Sequence, residues 1–553
     1  MRYSSAFFVL NLLFTASVPY AATDSQSIPL IIKYTSQHLQ ETTLRAQIKQ
    51  LTHLEVAELK PMANGAYRLI LNVPAGLQMT EADAIKALRT NPQVRYVVQD
   101  RISYFKPVPE PKEDTQLVNI LTHSSQWDEF ARPAGIVLES KPGLKDGAWA
   151  YTTGQSSKPV VVAVLDTGIA LNEGIVNNLV RDKEGAIWGW NFAENNNNLT
   201  DETQSYHGTH VAGTIAGYGE IMSGMGEELK ILPVKIPAKN GMFYESAVIN
   251  AIYWSVGGSV PGVPDNIHPA KVLNMSFGVD IGPGHEMDYC DEALQDAVDF
   301  ARQKGAVLAV AAGNDNHLEH FNAPAVCQHT LKIASTGPEG LRAYYSNYGP
   351  STSFAAPGGD KRYGLVGGIL STVNPGGGYH ASGFDFYQGT SMATPHVAGV
   401  AGLIYAVSSK ELNAEQVEQI LYVTTHDFGQ SRDENKSCIG KKPCGHGILD
   451  AEQAIKATLA DFDVLFSAPQ MSLKTAKQCE NGGIEGNECL ATSVATWTKL
   501  QGACDLADRY QHPFVTEEKG VIYAHYGLTQ YQLNQSAFKE CVVVGYDGVG
   551  CRY

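Results

Sequence analysis

The run Val160-Val161-Val162-Ala163-Val164-Leu165 is apolar at every position and stops at Asp166-Thr167-Gly168. A strand with one face in water would show a polar residue at every second place. One that does not must be covered on both faces, as in a parallel sheet with helices on each side. Ile231 to Ile236, Val272 to Met275 and Val307 to Ala312 read as further strands of this kind. Between the last two, Leu294, Ala297, Val298 and Ala301 recur at helical spacing, and Gly305 supplies a stop. Strand, helix, strand predicts an α/β fold on a mostly parallel sheet with helices on both faces. Asp166 then stands at the carboxyl edge of that sheet, where such folds place their ligands.

Upstream, Ile28 to Phe105 alternates strand and helix patterns. Leu30 to Tyr34, Tyr67 to Val73 and Val94 to Val98 are strand-like. Leu44, Ile48 and Leu51 fall at helical spacing, and Thr80 with Asp83 marks another helix start. That order predicts a small ferredoxin-like α+β module. Lys106-Pro107-Val108-Pro109-Glu110-Pro111 comes next, a linker whose prolines continue neither sheet nor helix. Downstream, Asn413 with Gln416 opens a helix ending near Thr424, and beyond about Asp461 the α/β rhythm stops. The expected division is residues 1–22, 23–110, 111–460 and 461–553, the last a small separate module stapled by disulfides.

Arg2, the apolar run from Ala6 to Phe14 broken only at Asn11, and the small residues Ala21-Ala22 match a secretory signal peptide too short to anchor in a bilayer. No later stretch reaches 18 uninterrupted apolar residues, so no membrane span is expected after its removal. Nine cysteines, at 290, 327, 438, 444, 479, 489, 504, 541 and 551, fit an exported chain, although an odd number leaves at least one unpaired within it. The 553 residues exceed any single small module, and 44% hydrophobic with 18% charged residues excludes a disordered or fibrous chain. Lys and Arg number 41 against 57 Asp and Glu, a net charge of −16 that argues against nucleic acid as a partner. Residues 24–110 instead carry ten basic and eight acidic residues, a contrast that would favour their docking on the acidic remainder of the chain.

Two more stretches carry chemistry. His207-Gly208-Thr209-His210-Val211-Ala212-Gly213 reads as a helix start packed closely on the sheet, with His207 at its exposed beginning and His210 a structural histidine. Its H-x-x-H spacing lacks the i, i+4 pair and the Glu of a zinc helix. Gly389-Thr390-Ser391-Met392-Ala393-Thr394-Pro395-His396-Val397-Ala398-Gly399 leads into an apolar helix. Pro395 is tolerated in a first turn, which places the helix start near Ser391, at the positive end where backbone amides are free. Each stretch alone admits a plain capping reading. Asp-Thr-Gly is also the triplet of aspartic proteases, but those need two such carboxylates and no second triplet occurs.

Taken together, DTG, HGTHVAG and GTSMATPHVAG resemble the three signatures of the subtilisin-like serine proteases, in that family's chain order Asp, His, Ser, over roughly residues 120 to 460. The resemblance implies a secreted serine endopeptidase that hydrolyses protein and peptide substrates through an acyl-enzyme at Ser391, with His207 as general base and then acid, and Asp166 orienting the imidazole. Ala311-Ala312-Gly313-Asn314 resembles the family's oxyanion segment, giving Asn314 the amide that meets developing negative charge. Ser276, Phe277 and Gly278 resemble the strand that pairs with substrate, with Ala312 and Gly313 beside it and Gly241 to Tyr244 as the other rim. The insert Gly257 to Pro264 resembles secreted bacterial members, for which Cys290 with Cys327 and Cys438 with Cys444 are candidate bridges. The first module resembles the family's inhibitory propeptide, cut between about Phe105 and His123 and acting as an intramolecular inhibitor. A monomer is expected, with no cofactor required for chemistry. Many members carry a calcium loop where this chain has Tyr218 to Glu228, a poor match, so structural calcium is left open with its ligands unknown.

Overall fold

The computed structural model describes residues 26–36, 40–105, 108, 125–203, 205–278, 290–318, 322–375 and 382–459, and the backbone of three strands between 515 and 532. The chain forms two compact units, one of residues up to 60 with 67–99, the other of 61–66 with 100 onward.

The first unit runs β1 (Gln26–Tyr34), α1 (Glu41–Thr52), β2 (Glu55–Pro61), β3 (Ala66–Val73), α2 (Glu81–Leu88) and β4 (Val94–Gln99), with sheet order β2-β3-β1-β4. This is the expected ferredoxin-like succession, with β1 and β4 antiparallel. Thr80 and Asp83 close a reciprocal capping box at the start of α2. Leu30, Ile32, Leu44, Ile48, Leu69, Leu71, Leu88 and Val97 form its core.

The second unit begins with β5 (Ile102–Tyr104) and contains a seven-stranded sheet of order β13-β12-β11-β10-β6-β8-β7. Its strands are β6 (Val161–Asp166), β7 (Trp190–Asn191), β8 (Lys230–Lys235), β10 (Val272–Met275), β11 (Val307–Ala311), β12 (Leu331–Thr336) and β13 (Phe354–Pro357). All of its pairings are parallel, and every residue of β6, β10, β11 and β13 is buried. The helices are α3 (His207–Ala216), α4 (Glu245–Ser255), α5 (Glu292–Gln303), α6 (Thr390–Val407), α7 (Ala414–Val423) and α8 (Ala451–Leu459). The short β9 (Met242–Tyr244) precedes α4, and β14 (Ile369–Val373) with β15 (Gly383–Tyr387) forms an antiparallel pair. Far downstream, β16 (Val515–Glu518), β17 (Val521–Tyr526) and β18 (Thr529–Gln532) form an antiparallel three-stranded sheet.

Strand β6, the first of the sheet in the chain, lies inside it, with β8 on one side and β10 on the other, so the crevice beyond its carboxyl end is the switch point at which α/β sheets gather ligands. Asn413 and Gln416 cap α7 reciprocally, as their spacing predicts. Pro395 corrects one expectation, because α6 begins at Thr390 and places the proline in its second turn. A proline there cannot donate to the carbonyl four residues back, that of Ser391. The hydroxyl of Ser276 donates to that carbonyl instead, at 2.9 Å.

Cys290–Cys327 and Cys438–Cys444 are disulfides. The remaining five cysteines, the leading 22 residues, most of the linker and the stretch expected to be cut lie outside the described residues. Among the described residues no helix is long and apolar enough to cross a membrane.

Candidate active site

Asp166 is buried at the end of β6. Its Oδ1 accepts from the Thr167 amide at 2.7 Å and lies 2.8 Å from His207 Nδ1, with Oδ2 at 3.0 Å from the same nitrogen. His207 opens α3, and the close approach of that helix depends on its neighbour. A Cβ on Gly208 would lie 2.3 Å from the Gly168 carbonyl oxygen and 3.1 Å from Asp166 Cβ. Thr167 Oγ1 accepts from the Gly208 amide at 2.9 Å and donates to the Asp201 carboxylate, which joins strand end, helix start and a second acid. Tyr206, just before His207, holds φ 47°, a left-handed conformation that a bulky residue adopts only where its surroundings impose it. Burial pulls the His207 imidazolium down, but the Asp166 charge, its hydrogen bond and Asp201 together outweigh this and hold the group above the ordinary value. His210, one turn on, is buried with Nε2 toward the carbonyls of Ile369 and Asp385, and burial pushes it down to about 3. It is the structural histidine expected.

Ser391 lies in the first turn of α6 and lines a cavity of about 390 Å³ together with His207, Ser276, Gly278, Gly313 and Asn314. Its hydroxyl donates to the Ser276 carbonyl at 2.9 Å. The expected chain of hydrogen bonds is therefore made at its Asp166–His207 link, while at the second link the serine is turned to a backbone oxygen across the same cavity. Asn314 is held by its own carbonyl. Its Oδ1 accepts from the amide and hydroxyl of Thr390, each at 2.9 Å, leaving Nδ2 without a partner among the described residues. Thr390 Oγ1 also accepts from the Gly313 amide at 3.1 Å.

Sequence reasoning did not single out Asn347, whose buried amide braces this turn. It donates to the Ala312 carbonyl at 3.1 Å and accepts from the amides of Asp315 at 2.9 Å and His317 at 3.1 Å. Gly313 has φ +105°, and a Cβ there would lie 2.4 Å from Asn347 Nδ2, so the turn requires glycine. No motif flags Asn347, because its role arises only when the chain folds back. Ala312 does not line the cavity. Its amide donates to the Ile333 carbonyl at 3.0 Å, and Ala311 presents itself instead.

Ser276, Phe277 and Gly278 follow β10 and line the cavity, and the Phe277 ring meets Phe243 of β9 at 5.4 Å between centroids. Strand β5 is antiparallel to β9 with Ser103 opposite Phe243, and the Ser103 hydroxyl donates to the Gly278 carbonyl at 3.1 Å. The Phe105 ring meets His207 at 5.4 Å, Phe243 at 5.5 Å and Phe277 at 5.8 Å between centroids. Upstream, Asp100 accepts from the amide and hydroxyl of Ser246 at 2.8 and 2.9 Å, and Arg101 is paired with Glu245 and Asp291.

In the loop 218–228 the Ser223 amide donates to Gln126 Oε1 at 2.9 Å and its hydroxyl to Glu227 Oε1 at 3.1 Å, and no cluster of three acidic, histidine or cysteine ligands occurs among the described residues.

A model of the subtilase family matches residues 157–447. An extracellular basic protease of Dichelobacter nodosus is 31% identical over 474 residues, covering 79% of this chain and 71% of that protein. An extracellular protease of Xanthomonas campestris is 33% identical over 70% of this chain and 64% of its own length. Among solved structures, a protease from Pseudoalteromonas arctica is 35% identical with a TM-score of 0.50, covering 60% of this chain and 97% of that one. Fervidolysin from Fervidobacterium pennivorans, 22% identical with a TM-score of 0.55, covers 79% of this chain and 62% of its own and shares the fold. The parallel sheet, the convergence at its carboxyl edge and these matches place the chain in the subtilase family, the subtilisin-like serine proteases, and make it a peptide hydrolase.

Proposed function

We propose that the chain is a secreted endopeptidase, made as an autoinhibited precursor, in which Ser391 attacks the scissile carbonyl, His207 moves the proton and Asp166 holds the imidazole. The single observation that carries this reading is the buried Asp166 carboxylate 2.8 Å from Nδ1 of His207, which lines the same cavity as Ser391 and Asn314. A serine hydroxyl needs an adjacent base to react near neutral pH. Rotation of the Ser391 side chain away from the Ser276 carbonyl brings Oγ to Nε2 of His207. The imidazole takes the proton as the carbon–oxygen bond forms, and the imidazolium faces Asp166. The carbonyl oxygen gains the negative charge and is met by Asn314 Nδ2 and the free amides at the start of α6. His207 then protonates the departing amine, leaving the acyl-enzyme, and water repeats the sequence in reverse. The chemistry of this family needs no cofactor.

Substrate enters as an extended strand between β9 and Ser276–Gly278, held mainly through its backbone. Residues 102–105 already lie in that groove, which supports the assignment of residues 23–110 as an inhibitory propeptide after a signal peptide of residues 1–22. The test is Ser391→Ala. It should abolish hydrolysis of denatured casein and labelling by a fluorophosphonate, and it should accumulate uncut precursor. Casein hydrolysis by the purified variant at more than a thousandth of the wild-type rate would refute the assignment of the nucleophile.

A further inference from the structure

The Arg101 guanidinium lies in a cradle made by two helix beginnings. Nε and Nη2 of Arg101 donate to the two carboxylate oxygens of Glu245, the first residue of α4, and Nη2 also donates to Asp291, the N-cap of α5. All three side chains are buried, at 3% exposure or less. Asp291 keeps its other oxygen on the amides of Ala293 and Leu294, so it cannot turn away. The backbone is fixed as well, because the Glu245 amide donates to the Arg101 carbonyl at 2.9 Å and the strand pairing of β5 with β9 comes directly after. Two carboxylates brought together out of water either keep a proton on one of them or are stabilised by a cation between them, and here a guanidinium fork satisfies both, a match that an ammonium makes less well.

Any peptide that occupies the groove as residues 101–105 do places the side chain four positions before the one against His207 between Glu245 and Asp291. We propose that Glu245 and Asp291 form a distal substrate subsite selective for arginine, which Arg101 fills in the precursor and an arginine of the substrate fills in the mature enzyme. The proposal rests on the peptidase reading above. It adds side-chain selection to a groove that otherwise reads backbone.

The probes are internally quenched peptides copying residues 100–106 followed by three alanines, one with arginine and one with citrulline at the position of Arg101, assayed with the active secreted enzyme. Citrulline keeps the planar shape but replaces one NH2 group by a carbonyl oxygen, which removes the charge together with two of the five N–H donors. The arginine peptide should show a kcat/KM about tenfold higher, as expected for loss of one charge-assisted pair at a groove open to solvent. Glu245→Gln should bring the two peptides within about twofold of each other. Equal cleavage of both by the wild-type enzyme, or an undiminished preference in Glu245→Gln, overturns the subsite and leaves the peptidase reading standing. Cleavage of neither peptide overturns the groove assignment and the subsite with it. The wild-type comparison needs no variant to fold, so a poorly expressed Glu245→Gln leaves it decisive.

Discussion

Replacing Asp166 by asparagine tests the proposed mechanism at the link the structure makes best. The side chain is nearly isosteric, and the Thr167 amide at 2.7 Å keeps an oxygen in the Oδ1 place. The new NH2 group must then occupy the Oδ2 place, 3.0 Å from His207 Nδ1, where the aspartate only accepted. The oxygen in the Oδ1 place, 2.8 Å from the same nitrogen, can still accept from Nδ1, but the NH2 group beside it favours the tautomer in which Nδ1 is bare and Nε2 carries the proton. The lone pair that should take the Ser391 proton is gone. Disturbance of the tautomer costs about 10⁴ in kcat, or roughly 5 kcal/mol of barrier, while KM for a short chromogenic peptide should change little. The pH profile gives a second reading. In the wild-type enzyme His207 is held above the ordinary imidazole value of 6.5, so kcat/KM falls as pH drops through that raised value. Without the carboxylate, burial dominates and the acid limb moves to lower pH. The same linkage makes the His207–Asp166 pair favour the fold below pH 6.5 and lose that contribution as pH rises through the raised value. A loss in kcat below tenfold, with an unmoved acid limb and an unchanged melting curve, would refute the mechanism.

Glu129→Gln should stabilise the protein in alkaline solution. Burial, then Asp128, Glu139 and Glu227, hold the Glu129 carboxyl well above its ordinary 4.5, so the fold binds a proton that the unfolded chain releases as pH rises. Its stabilising effect is present below 4.5 and is lost at about 1.4 kcal/mol per pH unit up to the raised value. Thermal melts in a Ser391→Ala background should show Glu129→Gln gaining over the parent from pH 5 upward and matching it near pH 4, and a constant difference would refute the assignment. Thr390→Val removes one of the two bonds holding Asn314 Oδ1 and strips the Gly313 amide of its acceptor. A fall in kcat of about tenfold at nearly constant KM is expected, with a stability loss of about 1 to 3 kcal/mol; steady-state kinetics showing kcat within twofold of the wild type would exclude Asn314 as the charge-stabilising amide.

Much of the sheet was legible because its residues are apolar without alternation. β6, β10 and β11 stand within a residue of where their hydrophobic runs place them. The capping pairs Thr80–Asp83 and Asn413–Gln416 were legible because they are local chemistry. β2 was not, since Glu55, Glu58 and Lys60 interrupt it with charge, and β7, with two residues, is too short to carry a period. Asp166 lies 2.8 Å from His207 Nδ1, and His207, Ser391 and Asn314 line one cavity, but the turn of the Ser391 hydroxyl toward Ser276 is a choice between staggered rotamers that no residue type encodes. Ala312 illustrates the limit at its finest. Neighbours on a strand point opposite ways, so a shift of one position exchanges a lining residue for a buried one. Asn347 and the carboxylates around Glu129 depend on segments far apart in the chain, and a single sequence gives no signal for such meetings.

The strand order of the large sheet also governs how quickly it can be assembled. β6 emerges first yet finishes inside the sheet, with Val162 beside Ile231 on one edge and Val272 on the other. Parallel neighbours cannot close by a hairpin and must wait for a whole intervening helix, so these pairings are slow, long-range events. Until β8 and β10 arrive, Val161 to Leu165 expose both edges of a strand with no charge to discourage a second chain. The leading unit has no such delay, because β1 finds its partner β4 within residues 26–99. A chain of this design therefore completes one small sheet early and carries its most adhesive segment unsatisfied until more than a hundred further residues have appeared, which makes the yield of folded protein sensitive to concentration and to the rate of synthesis.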